Sequence, residues 1–280
     1  MQFAKMHGCG NDYILVNEKD IRGYDYEELS RKMSDRKNGI GSDGLIIAGE
    51  SDCADIRMYM YNSDGSRGKM CGNGIRLLAK YAFERKLSIK RVMRIETDSG
   101  IKTVWLHFCG EKVESVKVDM GKPELKTDKI PVRTDEKRII DKKVRIEGRE
   151  YLITCVSMGN PHTVIFAEDV DKISLCEEGK NIENDSMFPD RTNVMFVQVL
   201  NDEQLKMRVW ERGSGITLAC GTGACAALFA GYVTGRCKNE ADIIMPGGIV
   251  HVNYDTVDDI VYLYGDAHEV FTGEYKETEV

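Results

Sequence analysis

Among 280 residues the chain has only two tryptophans and five prolines, and its nine cysteines contain no Cys-x-x-Cys pair. An odd number of thiols without tight paired spacing fits neither a small disulfide framework nor a structural zinc site. The thiols are therefore expected to be free, in a reducing cytoplasm, and most should be inert core residues. Low-complexity tracts are missing, so large-scale disorder is not expected. No apolar run falls between Met1 and Asn11, so no secretion signal is expected. One uncharged stretch, Gly213 to Gly235, is broken by six glycines, and only Leu218 to Val233 is mostly apolar. A spanning helix wants about 20 predominantly apolar residues, so this stretch reads as a buried helix of a soluble protein. Positive charge is also short: 39 Lys and Arg against 46 Asp and Glu leave a net charge of −7. That argues against nucleic acid or an anionic membrane as the main partner. An anionic ligand would need a local positive potential.

Charged residues make up 30% of the chain and hydrophobic residues 42%, a globular composition, and the length suffices for two ordinary domains. The chain also repeats itself. Met70-Cys71-Gly72-Asn73-Gly74 is matched by Ala219-Cys220-Gly221-Thr222-Gly223, with the cysteines 149 residues apart. The same offset carries Gly10-Asn11 onto Gly159-Asn160, Asn62 onto Glu211, and Gly44 onto Asn193. Each Cys-Gly-x-Gly opens a small, apolar run. One such match is weak; two at a shared spacing indicate duplicated domains. Duplication alone explains two similar domains, but not cysteine and amide side chains at matching places.

Alternation with Ile56, Met58 and Met60 on one face predicts a strand over Asp55 to Tyr61, with a counterpart over Lys206 to Trp210. Arg191 to Leu200, Val113 to Met120 and Asp259 to Tyr264 also read as strands. Helices are expected at Tyr26 to Lys37, Gly72 to Arg85 and Gly221 to Val233. The expected fold class is α+β: two pseudo-symmetric domains, each a mostly antiparallel sheet around a central helix, with the active site in the cleft between them. The first domain is expected to comprise residues 1–119 plus 266–280, the second 120–265. Gly121 to Glu150, rich in charge and carrying Pro123 and Pro131, reads as an exposed crossing plus an edge strand.

Cys71 and Cys220 each sit at the start of a helix. Unsatisfied N–H groups and partial positive charge there lower a thiol pKa and bind carboxylates. The glycines let the backbone approach a ligand. A thiolate on one face of a carbon and a thiol on the other suit stereoinversion of an amino acid, because acid and base exchange roles in the reverse direction. The α-C–H is a very weak acid, so preorganised donors in a dry site must stabilise the developing charge. Asn62 and Glu211 both offer oxygen acceptors for an α-ammonium, although Asn62-Ser63-Asp64-Gly65 is also a strong turn signal. His162, after Gly159-Asn160-Pro161, is expected in an exposed or cleft-facing loop, where it would tune or deprotonate a cysteine. His7 and the remaining seven cysteines, Cys9, Cys53, Cys109, Cys155, Cys176, Cys225 and Cys237, are read as structural.

These motifs resemble those of diaminopimelate epimerases. The resemblance runs through His7 to Tyr13, Asn62 to Ser66, Met70 to Arg76, Gly159 to His162, Arg191-Thr192-Asn193, and Glu211 to Ala227. It implies interconversion of LL- and meso-diaminopimelate, on the route to lysine and peptidoglycan, by a cytoplasmic homodimer without pyridoxal phosphate or metal. It implies that Cys71 and Cys220 are the proton-transfer pair, with His162 and Glu211 supporting them. Gly72, Asn73, Gly221 and Thr222 would present backbone donors to the reacting carboxylate. Asn62 and Glu211 would take the α-ammonium, and Asn11, Asn160, Asn193 and Arg212 the distal amino-acid end, where a guanidinium can grip a carboxylate bidentately. Gly44 stands where some members carry glutamine, which leaves substrate breadth open. Ile216 replaces a common glutamate and Tyr13 a common phenylalanine, with little expected from either for the chemistry.

The nearest rival is a related racemase acting on lanthionine, histidine or proline; the distal set Asn11, Asn160, Asn193 and Arg212 favours a substrate with a second amino-acid head. Gly221-x-Gly223-x-x-Ala226 fits a relaxed dinucleotide fingerprint, but the chain lacks the βαβ alternation that would support it. An inactive binding protein is argued against by the presence of both cysteines. A Cys71–Cys220 disulfide is expected to form on oxidation and to silence the enzyme.

Overall fold

The computed structural model describes residues 1–68 and 70–276. The last four residues of the expected first domain, 277–280, lie outside the described residues. The chain divides into two compact units, 1–118 with 264–280, and 119–263.

The first unit begins with β1 (Gln2–Gly8), β2 (Asn11–Asn17), α1 (Tyr26–Ser34), β3 (Gly44–Gly49), β4 (Ile56–Asn62) and β5 (Arg67–Gly68). It continues with α2 (Gly72–Glu84), β6 (Val92–Thr97), β7 (Gly100–Cys109) and β8 (Lys112–Gly121), in which the chain leaves the unit. The second unit holds β9 (Lys142–Ile146), β10 (Arg149–Ser157), β11 (Pro161–Phe166), α3 (Leu175–Glu183), β12 (Asn193–Asn201) and β13 (Gln204–Glu211). β14 (Gly215–Thr217), α4 (Gly221–Val233), β15 (Glu240–Met245), β16 (Gly248–Asp255) and β17 (Ile260–Asp266) follow. The chain then returns to the first unit, where β18 (His268–Glu274) pairs antiparallel with β1.

The two units follow one plan. In the first, β2 runs parallel to β3, β3 antiparallel to β4, and β4 parallel to β6. In the second, β11 runs parallel to β12, β12 antiparallel to β13, and β13 parallel to β15. The sheets are thus mostly antiparallel, as expected, with two parallel pairs in each unit. α2 packs against β1, β2, β3, β4, β6 and β7, and α4 against β10, β11, β12, β13, β15 and β16. A helix enclosed in this way is mostly apolar or small, and a polar side chain on it needs a partner, as Arg76 on α2 finds in the Gly72 and Asp266 carbonyls. Gly72 to Ala82 are all buried in α2, as are Gly221 and Gly223 to Gly231 in α4.

The helix starts are tightly specified. A Cβ at Gly74 would come within 2.8 Å of Ile46 Cδ1, and one at Gly223 within 2.6 Å of Met195 Cε. Both pairs are equivalent under the 149-residue offset, so the first turn of each helix presses on the same place in its sheet.

Three expectations need correction. α1 ends at Ser34 rather than Lys37, because the Asp35 carboxylate accepts from the backbone N–H groups of Lys37 and Asn38, both at 2.7 Å, and starts a new turn. α3 was not expected. Mid-helix Gly179 weakens its sequence signal, yet a Cβ there would meet Trp210 Cβ at 2.6 Å. The 121–150 segment is not simply exposed: Ile130, Val132, Ile139 and Ile146 are buried in one cluster with Leu175, Ile182 and Phe188.

Candidate active site

In the first unit, Cys71 is the N-cap of α2, with extended backbone (φ −135°, ψ 127°). Its Sγ accepts from the backbone N–H of Gly74 at 3.4 Å, and its carbonyl accepts the first helical bond from Ile75 at 2.9 Å. The N–H groups of Gly72 and Asn73 precede that bond, where helix donors have no partner within the helix. Cys71 Sγ also lies 3.6 Å from Asn11 Oδ1, to which it donates, and 3.6 Å from the Tyr13 hydroxyl, which donates to it. Asn11 is fixed in turn. Its Nδ2 donates to Asp43 Oδ2 at 2.6 Å, and its Oδ1 accepts from Asn73 Nδ2 at 3.4 Å. Asp43 is held by Arg36 Nη2 at 2.9 Å.

Asn62 ends β4 and pairs in register with Gly44, which pairs with Tyr13. Its Nδ2 donates to Ser66 Oγ at 2.9 Å, and its carbonyl accepts from Gly65 N–H at 2.9 Å. The turn signal in Asn62-Ser63-Asp64-Gly65 is therefore real, and a ligand would have to use Asn62 Oδ1. At Gly44 a Cβ would stand 2.2 Å from the Tyr61 carbonyl oxygen and 3.2 Å from Tyr13 Cε1. Packing demands glycine here, and a glutamine would require the strands to move.

In the second unit, Cys220 is the N-cap of α4 (φ −137°, ψ 110°), and Ala224 N–H donates to its carbonyl at 2.9 Å. Cys220 Sγ lies 3.6 Å from Thr222 Oγ1. Asn160 Nδ2 donates to Thr222 Oγ1 at 3.4 Å, the same link as Asn11 to Asn73 with donor and acceptor exchanged. Asn193 is buried; its Nδ2 donates to the Pro161 carbonyl at 2.8 Å and its Oδ1 accepts from Arg212 N–H at 2.9 Å. The Arg212 guanidinium donates to the Asp190 carbonyl at 2.9 Å. Glu211 ends β13 and accepts from Thr217 Oγ1 at 2.5 Å.

Electrostatics separate the groups. Burial pushes the Cys220 thiol well above its ordinary range, and the nearby Glu211 carboxylate pushes it further; the Thr222 hydroxyl and Gly223 N–H act against this. The expectation that a helix N-terminus makes a ready thiolate therefore fails for Cys220, because desolvation and a like charge outweigh the helix end. Burial also raises the Glu211 carboxyl, against the hydrogen bond from Thr217. His162 is corrected too. It lies on β11 rather than in an exposed loop, is fully buried, and burial with the Arg212 charge depresses it to about 3. Its Nε2 stands 3.0 Å from Asn160 Oδ1. It is neutral at physiological pH and reaches the Cys220 region through Asn160 and Thr222.

The first unit thus brings together Cys71, Gly72, Asn73 and Asn11, and the second Cys220, Gly221, Thr222, Asn160 and His162. Asn193, Arg212 and Glu211 are linked through the end of β13. Tyr13, Asp43 and Thr217 were not singled out as functional. Only Tyr13 carried a signal, as a departure from the residue common in similar sequences. Among the described residues no group of three or more His, Cys, Asp or Glu is placed to hold a metal ion, and no helix is long and apolar enough to cross a membrane. No disulfide links the described cysteines.

The architecture is that of a class of two-domain proteins of known structure. A PhzF-family phenazine biosynthesis protein from Bacillus anthracis superposes with a TM-score of 0.69 at 16% identity, over 99% of both chains. A hydroxyproline epimerase from Agrobacterium vitis gives 0.68 at 15% identity, over 98% of this chain and 90% of that one. Sequence narrows the class. The family model for diaminopimelate epimerase matches residues 3–126 and 154–270. Diaminopimelate epimerases from Acetivibrio thermocellus and Agathobacter rectalis are 46% and 47% identical, the first over the whole of both chains, the second over 98% of this chain and 99% of its own. The chain belongs to the diaminopimelate epimerase family.

Proposed function

We propose that this chain interconverts LL- and meso-diaminopimelate by two-thiol proton transfer, as a step toward lysine and peptidoglycan. One observation carries the reading: two cysteines, 149 residues apart, cap equivalent buried helices whose first turns are built alike. The names of the relatives support the substrate.

In this reading one cysteine removes the α-proton from one face of the carbon, and the other delivers a proton to the opposite face. Electrons from the broken C–H bond are held as the carboxylate takes up enolate character, and N–H groups of Gly72, Asn73, Gly221 and Thr222 stabilise that charge. Cys220, held as a thiol by burial and Glu211, is the proton donor when Cys71 is the base. The roles reverse for the other isomer. Asn62 and Glu211 bind the α-ammonium, and Asn11, Asn160, Asn193 and Arg212 the distal end. His162 orients Asn160 rather than taking a proton itself. The two domains, residues 1–119 with 266–280 and residues 120–265, each supply one of the two cysteines.

We also propose a cytoplasmic homodimer. Nine cysteines without a disulfide suit a reducing compartment. Val270 and Phe271 on β18 are 57% and 47% exposed, apolar surface for a second copy. Sedimentation equilibrium tests the dimer, and a single monomer mass at micromolar concentration would reject it. For the activity, purified protein with reductant and no added cofactor should convert LL-diaminopimelate to the meso isomer. Turnover of lanthionine but not diaminopimelate would move the substrate and keep the mechanism.

A further inference from the structure

The Tyr13 hydroxyl donates to Cys71 Sγ at 3.6 Å, and the residue is only 4% exposed. We propose that Tyr13 is a positioning residue for Cys71, its phenol holding the sulfur at the mouth of α2 and stabilising it as a thiolate. This rests on reading Cys71 as one of the proton-transfer thiols.

Three observations support it. First, the ring has no freedom to turn away. Tyr13 pairs with Gly44 in the parallel β2–β3 register, and the space beside its Cε1 exists only because position 44 has no Cβ. Second, the donor complements the others. Gly74 N–H reaches the same sulfur from the helix side at 3.4 Å, so the sulfur has two donors and one acceptor, Asn11 Oδ1. Loss of the thiol proton breaks only the contact with Asn11 and leaves both donors in place. Third, the duplicated position is different. Under the 149-residue offset Tyr13 corresponds to His162, which pairs with Asn193 as Tyr13 pairs with Gly44, yet its Nε2 is turned to Asn160. Cys220 has a threonine hydroxyl and a carboxylate near it instead of a phenol. The two thiols are thus served unequally.

Burial holds the phenol well above its ordinary value, so Tyr13 remains a donor throughout the working range. The carboxylate that bears on it is Asp43, which Asn11 and Arg36 hold; Arg36 also pairs with Asp12, as does Lys5, and Arg76 on α2 donates through Nη1 to the Gly72 carbonyl. None of these donates to Cys71 Sγ in its place.

The test is Tyr13→Phe in the full chain, which removes one oxygen and keeps the ring. Iodoacetamide alkylation of the Cys71 and Cys220 peptides is followed by mass spectrometry from pH 6 to pH 10. The expected result is a Cys71 profile displaced to higher pH and slowed about tenfold at neutral pH, the scale of one hydrogen bond to a charged group. As the pH rises the gap between the two proteins should narrow, and the Cys220 profile should not move. kcat/KM for diaminopimelate should fall by a similar factor in both directions, as the fixed equilibrium constant requires. A Cys71 profile that coincides with the wild type, or a gap that does not narrow as the pH rises, overturns the proposal. The alkylation result decides it even if diaminopimelate proves not to be the substrate.

Discussion

His162 Nε2 lies 3.0 Å from Asn160 Oδ1 in a fully buried setting, and its Nδ1 has no hydrogen-bond partner among the described residues. With the amide oxygen as acceptor, the neutral ring carries its proton on Nε2. Protonating Nδ1 would bury an unpaired charge, which explains why the folded protein resists it down to about pH 3. An unfolded histidine takes up its proton near pH 6.5. The folded form therefore holds its full advantage above pH 6.5 and loses it as the pH falls toward 3. The loss is about 1.4 kcal/mol per pH unit, or roughly 2 kcal/mol between pH 7 and pH 5. Urea unfolding of His162→Gln should show a smaller acid loss by about that amount. Equal losses in both proteins would refute the assignment.

Glu211 is held by Thr217 and raises the Cys220 thiol beyond what burial alone does. Glu211→Gln should reduce kcat/KM by about 10² or more, since it removes an ammonium acceptor and a charge at the reacting centre. The same change should make Cys220 easier to ionise, so its alkylation at pH 8.5 should become faster while catalysis falls. A decline in both would mean that the site has collapsed rather than lost a charge.

Gly223→Ala would place a methyl group 2.6 Å from Met195 Cε and 3.2 Å from Cys220 Sγ. Methionine can yield, so the stability cost should be moderate, about 1–3 kcal/mol. The sulfur cannot move without losing its place at the helix start. Activity should drop at least tenfold because an error of about 1 Å is costly in proton transfer. Thermal melting and steady-state kinetics together check this, and wild-type activity in the variant would argue against a fixed Cys220.

Much of this was legible in the chain because duplication amplifies weak signals. α4 occupies the expected residues 221–233, and α2 ends one residue early at Glu84. α4 is small or apolar along nearly its whole length, α2 carries Asn73, Arg76 and Lys80 among its apolar residues, and paired Cys-Gly-x-Gly starts mark the beginnings of both. α3 escaped because Gly179 interrupts its pattern, yet adding 149 to the bounds of α1, 26–34, gives 175–183, the span of α3. Neither helix carries a motif that the offset could match. His162 was misplaced because Gly159-Asn160-Pro161 reads as a turn, and no local signal shows that the next strand is buried by α4. The contact of Tyr13 with Cys71 escaped for the opposite reason. Its hydroxyl donates to a sulfur 58 residues away, a contact that no periodicity encodes.

The central claim is that two thiols invert one carbon. The direct test is α-proton exchange of LL-diaminopimelate in D₂O, followed by NMR, for wild type, Cys71→Ala and Cys220→Ala with reductant present. The account predicts deuterium at one α-carbon with formation of the meso isomer by the wild type, and epimerisation lost in both variants. Epimerisation at the wild-type rate by either variant would contradict it.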